Sequence, residues 1–120
     1  MGEKFSFSKR LKSFRYAFEG VVYFFKNEHN AWIHLLATVA AGVLAVFLPL
    51  SAMEVIVLIL AIGLVWMAEL FNTAVENMMN FISSEKNPKI KVIKDLSAAA
   101  VFIASLTALA VGCVVFIPKL

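Results

Sequence analysis

The sequence predicts an all-α membrane protein, with one amphipathic helix on the membrane surface and three helices that cross the bilayer. Three observations carry that expectation. The chain is 62% hydrophobic, with a mean hydropathy of +0.87, whereas soluble domains are about 45 to 50% apolar. Three apolar runs, 31–50, 53–81 and 96–117, are each long enough at 1.5 Å per residue to cross a hydrocarbon layer about 30 Å thick. All Lys and Arg residues fall outside those runs. At 120 residues the chain is a single domain, 1–120, with no repeat, linker or low-complexity segment to divide it.

Met1 to Ser6 read as a frayed tail. From Phe7 the apolar residues Leu11, Phe14, Phe18, Val21, Val22 and Phe25 recur at spacings of three and four, while Lys9, Arg10, Lys12, Arg15, Glu19 and Lys26 take the other side. That pattern is an amphipathic helix over 7–27 with a basic face, suited to the headgroup layer, and Ser6 or Ser8 can cap its start. It does not read as a signal peptide, because the apolar residues are periodic and no continuous apolar core follows the charges. Lys26-Asn27-Glu28-His29-Asn30 forms a polar knot before the first span, which is apolar apart from His34 and Thr38. Pro49-Leu50-Ser51-Ala52 breaks that span from the second, and Ser83 to Lys94 reads as a basic loop before the third.

Orientation follows from the cations. Six Lys and Arg precede the first span, four lie between the second and third, none lies between the first and second, and one lies at the C-terminus. The positive-inside rule then makes the N-terminus and the Ser83 to Lys94 loop cytoplasmic. The net charge of +3 accompanies spans, so the expected partners are lipid headgroups and nucleotide phosphates rather than nucleic acid. Cys113 is single and cannot form an intrachain disulfide, and with His29 and His34 it makes no zinc ligand set. Neither a Gly-x-x-x-x-Gly-Lys loop nor a Gly-x-Gly-x-x-Gly turn occurs.

Against this background the far end of the second span stands out. Glu69, Asn72 and Glu76 fall within about 60° of one another on a helix. Ionisable groups at membrane depth cost about 2.5 to 3.5 kcal/mol each, which makes them functional candidates. The competing explanation is interhelical polar glue. Glu28 can equally be a residue of a turn, and Lys94-Asp95 either a charged anchor followed by a helix cap or a functional pair. Tyr16 and Trp66 read as interface or packing aromatics, and His34 as an interface histidine satisfied by a neighbour. As a set, carboxylates beside cations on one side of the membrane can bind Mg²⁺ through oxygen and balance polyphosphate charge.

The pattern Glu69-x-x-Asn72-Thr73-Ala74-x-Glu76, followed by Lys94-Asp95-x-x-Ala98-Ala99-Ala100-Val101 and preceded by Glu28, resembles the prokaryotic diacylglycerol kinase family, small membrane lipid kinases that include undecaprenol kinases. The segment from Glu28 to His34 resembles the Gram-positive and related branches, and Trp32 stands where a basic residue often occurs. The resemblance implies a homotrimer with sites shared between neighbouring subunits, using ATP and Mg²⁺ to phosphorylate a lipid alcohol at the cytoplasmic face of the cell membrane. It implies Glu69 as general base, Glu28 and Glu76 as metal ligands, and Asn72 as their supporting neighbour. It implies nucleotide contacts from Lys12, Tyr16, Glu28, Glu76, Glu85, Lys86, Asn87, Lys94 and Asp95, and lipid contacts from Lys9, Arg10, Glu69 and Ser97. Diacylglycerol, giving phosphatidic acid, stands slightly ahead of undecaprenol as acceptor. From other classes, a small proton-coupled transporter protonated at Glu69 and a non-catalytic membrane subunit remain as alternatives.

Overall fold

A computed structural model describes residues 4–83 and 85–120. Met1 to Glu3 of the expected tail and Ser84 of the expected loop lie outside the described residues. Among the described residues four helices, α1 (Phe7–Asn27), α2 (His29–Phe47), α3 (Ala52–Ile82) and α4 (Pro88–Phe116), are followed by a short 3₁₀ turn, Ile117–Lys119.

Helix α1 begins where Ser6 Oγ accepts the backbone N–H of Lys9 at 3.3 Å. It stops at Glu28, whose extended backbone (φ −122°, ψ 120°) is at once the end of α1 and the start of α2. Aromatic residues close this elbow: Trp32 Nε1 donates to the Phe25 carbonyl at 3.1 Å, and the Phe24 and Phe25 rings lie against Trp66 of α3 with centroids 6.1 and 5.7 Å away. Helix α2 ends at Phe47, short of the expected Leu50. Leu48 precedes Pro49, whose ring disfavours a helical residue before it, and Leu48 is accordingly extended (φ −100°, ψ 151°). Ser51 then opens α3 through a capping box, accepting the Glu54 N–H while Glu54 accepts the Ser51 N–H.

The expected start of the third span needs correction. Helix α4 begins at Pro88, not near Leu96, so the expected Ser83 to Lys94 loop is short and its lysines lie on a helix. Asn87 caps the helix by accepting the Lys89 N–H, and Pro88 occupies a first-turn position that needs no N–H donor. Asp95 is therefore no helix cap; it lies two turns inside α4. Charge marks where a helix leaves the apolar layer, and the helix itself continues.

Three segments, His29–Phe47, Ala52–Ile82 and Pro88–Lys119, are long and apolar enough to cross a membrane. The 31 residues of α3 extend about 46 Å, some 15 Å more than a hydrocarbon layer needs. The surplus carries the polar end of the helix. Helices α3 and α4 make the dominant contact of the fold, and the apolar residues buried on them are Leu58, Ala61, Val65 and Met79 on α3 and Ala104 and Val115 on α4. By contrast α2 touches α3 sparsely and buries only Ala31. The radius of gyration, 17.9 Å, exceeds the roughly 13 to 14 Å of a compact domain of this length. Most apolar side chains, including Phe7, Leu11, Phe14 and Phe18 along α1, remain exposed in the single chain.

Candidate functional site

The polar end of α3 is a continuous stripe. Glu69, Asn72, Glu76 and Asn80 follow at spacings of three and four, with Thr73 four residues beyond Glu69, which keeps all five on neighbouring turns of one face. Glu69 and Thr73 are buried, and Asn72 and Glu76 are half-buried.

At the inner end, Glu69 is 4% exposed and its Oε1 lies 2.6 Å from Nε2 of His34 on α2. A carboxylate can only accept, so the imidazole donates. One turn further along both helices, Trp66 Nε1 donates to Thr38 Oγ1 at 2.9 Å, and Thr38 in turn donates to the His34 carbonyl at 2.7 Å. The His34 and Trp66 rings meet edge to face, 6.2 Å apart. Because α2 and α3 run antiparallel, His34 with Glu69 and Thr38 with Trp66 form two successive polar rungs. An apolar cleft of about 320 Å³ adjoins the rungs, bounded by Ile62, Val65, Ala108 and Leu109.

In the middle of the stripe, Asn72 Oδ1 is buried and has no hydrogen-bond partner among the described residues. Such an orphaned oxygen costs about 1 to 3 kcal/mol, so its position favours a donor or a cation. Glu76 lies one turn away from it. Glu28 sits half-buried at the elbow, and its side chain makes no capping hydrogen bond. The elbow is held to α3 from both sides, by Asn77 Nδ2 donating to Tyr23 Oη at 3.1 Å and by the His34 to Glu69 bond. Among the described residues no three His, Cys, Asp or Glu side chains gather to hold a metal ion. The candidate donors Glu28, Glu76 and Asn72 offer carboxylate and carboxamide oxygens only. That all-oxygen set fits Mg²⁺, which takes one or two protein carboxylates and completes its shell with water and phosphate oxygens.

At the outer end a cleft of about 650 Å³ opens between the α3–α4 connection and the first turns of α4. Glu85, Lys86, Asn87, Lys94 and Asp95 all line it, so the structure gathers five residues that sequence reasoning had linked to a nucleotide. Lys94 Nζ donates to Asn80 Oδ1 at 2.6 Å, and Lys91 Nζ pairs with Asp95 Oδ2 at 2.6 Å. The remaining candidates are not drawn in. Lys9, Arg10, Lys12 and Tyr16 lie on the exposed α1, and Ser97 is half-buried on α4; none of them lines this cleft.

No site role was expected for Asn80, Lys91, Thr38, Tyr23 or Asn77. Asn80 was legible as the next member of the 69-72-76 spacing. His34 was expected to be satisfied by a neighbour, and that neighbour is Glu69.

Residues 15–116 match the prokaryotic diacylglycerol kinase family. The chain is 39% identical over 111 residues to a diacylglycerol kinase of Synechocystis, covering 92% of this chain and 63% of that protein. It is 32% identical over 110 residues to the undecaprenol kinase of Bacillus subtilis, covering 92% and 89%. It is 30% identical over 108 residues to the diacylglycerol kinase of Escherichia coli, covering 90% and 88%.

Proposed function

Because this chain belongs to the prokaryotic diacylglycerol kinase family, we propose that it is a membrane lipid kinase that transfers the γ-phosphate of ATP to the hydroxyl of diacylglycerol. One observation carries the reading: at the inner end of the polar stripe of a membrane-length helix, Glu69 is buried, yet among the described residues it is bonded through only one of its carboxylate oxygens. An unspent oxygen at the boundary of the apolar layer is what a base for a lipid hydroxyl requires.

Glu69 takes the hydroxyl proton as the lipid oxygen forms its bond to the γ-phosphorus and the bond from that phosphorus to the bridging oxygen of ADP breaks. The electron pair leaves with ADP. Lys94 balances charge on the polyphosphate, and Glu85, Lys86, Asn87 and Asp95, which share its cleft, border the nucleotide. Glu28 and Glu76 would hold Mg²⁺, with the orphaned Asn72 Oδ1 as a supporting oxygen. The chemistry such an ion would supply there is neutralisation of the charge on the polyphosphate. Tyr16 and Lys12 on α1 contribute to the nucleotide side, while Lys9, Arg10 and Ser97 serve the lipid.

The exposed apolar side of α1 and its cations fit a helix lying in the headgroup layer of the cytoplasmic leaflet. Three such chains form a homotrimer with shared sites. That assembly covers the exposed apolar faces of α2 to α4 and brings α1 residues of one subunit toward the cleft of another. A second acceptor, undecaprenol, is favoured by the 32% identity to the Bacillus subtilis undecaprenol kinase over most of its length. The comparisons lend no support to a proton-coupled transporter.

The test is a phosphotransfer assay on the purified protein in lipid micelles, with Mg-ATP and each lipid alcohol in turn. Transfer is expected to both, faster to diacylglycerol. No transfer to either lipid would overturn the proposal.

A further inference from the structure

We infer that His34 is a positioning residue for Glu69: its imidazole holds Oε1 of the carboxylate, so that Oε2 is the oxygen presented to the lipid hydroxyl. The inference rests on the reading of Glu69 as general base.

Geometry carries it. The Nε2 to Oε1 distance of 2.6 Å is short for a nitrogen donor, and the pair is largely screened from water, with side chains 20% and 5% exposed. The terminal torsion of a glutamate is broad and roughly two-fold, so a carboxylate with both oxygens free turns readily. Bonding one oxygen to a ring on a different helix removes that freedom. The ring is itself held, because Trp66 packs against its edge. After proton transfer the Nε2–H still finds an acceptor, because the carbonyl oxygen of the neutral acid remains at Oε1. His34 thus supports Glu69 before and after the step without giving up a proton.

The competing explanation is that the bond only fastens α2 to α3. The neighbouring rung separates the two, since Thr38 and Trp66 fasten the same helices one turn away and, among the described residues, make no hydrogen bond to Glu69. Steady-state kinetics and thermal unfolding in lipid micelles are to be measured for His34→Leu, His34→Gln, Thr38→Val and Glu69→Gln. Misplacing a reacting group costs up to about 100-fold. His34→Leu is therefore expected to lower kcat about 10- to 100-fold, with the KM for ATP and for lipid held within about twofold. His34→Gln, whose carboxamide N–H can reach Oε1, is expected to recover most of that loss. Thr38→Val is expected to lower the unfolding temperature while keeping kcat within about twofold. Should His34→Leu fail to assemble, His34→Asn, polar but one methylene shorter than Gln, replaces it with the same expectation.

The inference is overturned if the His34 variants keep kcat, if Gln does no better than Leu or Asn, or if Thr38→Val lowers kcat equally. Glu69→Gln distinguishes the levels. Loss of turnover there with full turnover in the His34 variants removes only this inference, whereas full turnover in Glu69→Gln removes the general-base reading beneath it.

Discussion

Helix α3 has two seams of opposite character. Toward α4 its contact is extensive, with the one bond Lys94–Asn80 near the polar end, and the apolar side chains buried along the two helices are Leu58, Ala61, Val65 and Met79 on α3 and Ala104 and Val115 on α4. Toward α2 it is sparse and polar, held by the His34–Glu69 and Thr38–Trp66 rungs. In hydrocarbon no hydrophobic force drives helices together, so close packing secures the first seam and hydrogen bonds secure the second. The packed seam provides a rigid support. The polar seam is where a carboxylate can be buried, bonded on one side and left reactive on the other, and the proposed chemistry belongs there.

The comparison breaks most visibly at Glu69. Glu69→Gln keeps an oxygen to accept from His34, so the polar seam survives while the base is lost. Turnover should fall about 10²- to 10⁴-fold with unfolding unchanged, and a steady-state assay beside a thermal melt checks both. The packed seam is tested by Leu58→Ala, which empties a buried position on α3. A loss of about 2 to 5 kcal/mol is expected in a denaturant titration in micelles, with per-molecule activity retained in the folded fraction.

Between these extremes lies Glu76→Gln. It leaves both seams intact and should raise the Mg²⁺ concentration needed for half-maximal rate by at least about 10-fold. A titration of rate against Mg²⁺ at saturating ATP reads it. The smallest effect is expected for Thr38→Val, which removes one polar rung at a cost of about 0.6 kcal/mol in the same denaturant titration. Were it to rival Leu58→Ala, the two seams would not differ as described.

Much of this was legible in the chain. The Phe7 to Asn27 helix, the three apolar helices and the 69-72-76 face all follow from spacing, because periodicity is a property of one helix and needs no partner. The α4 start at Pro88 was hidden, since the lysines of its first turns look like loop residues when hydropathy alone is read. Glu69 could be singled out from its cost in hydrocarbon. Its bond to His34, 35 positions away, could not, because nothing local sets which turn of α2 faces which turn of α3.

The sequence by itself therefore determined the helices, their apolar lengths and the polar stripe, each governed by 3.6-residue periodicity and by the cost of burying charge. Tertiary structure alone decided the pairings: His34 with Glu69, Lys94 with Asn80, Tyr23 with Asn77, and the orphaned oxygen of Asn72. Such contacts depend on the relative depth and rotation of whole helices. Those are settled by packing summed over many side chains, which no short stretch of sequence encodes.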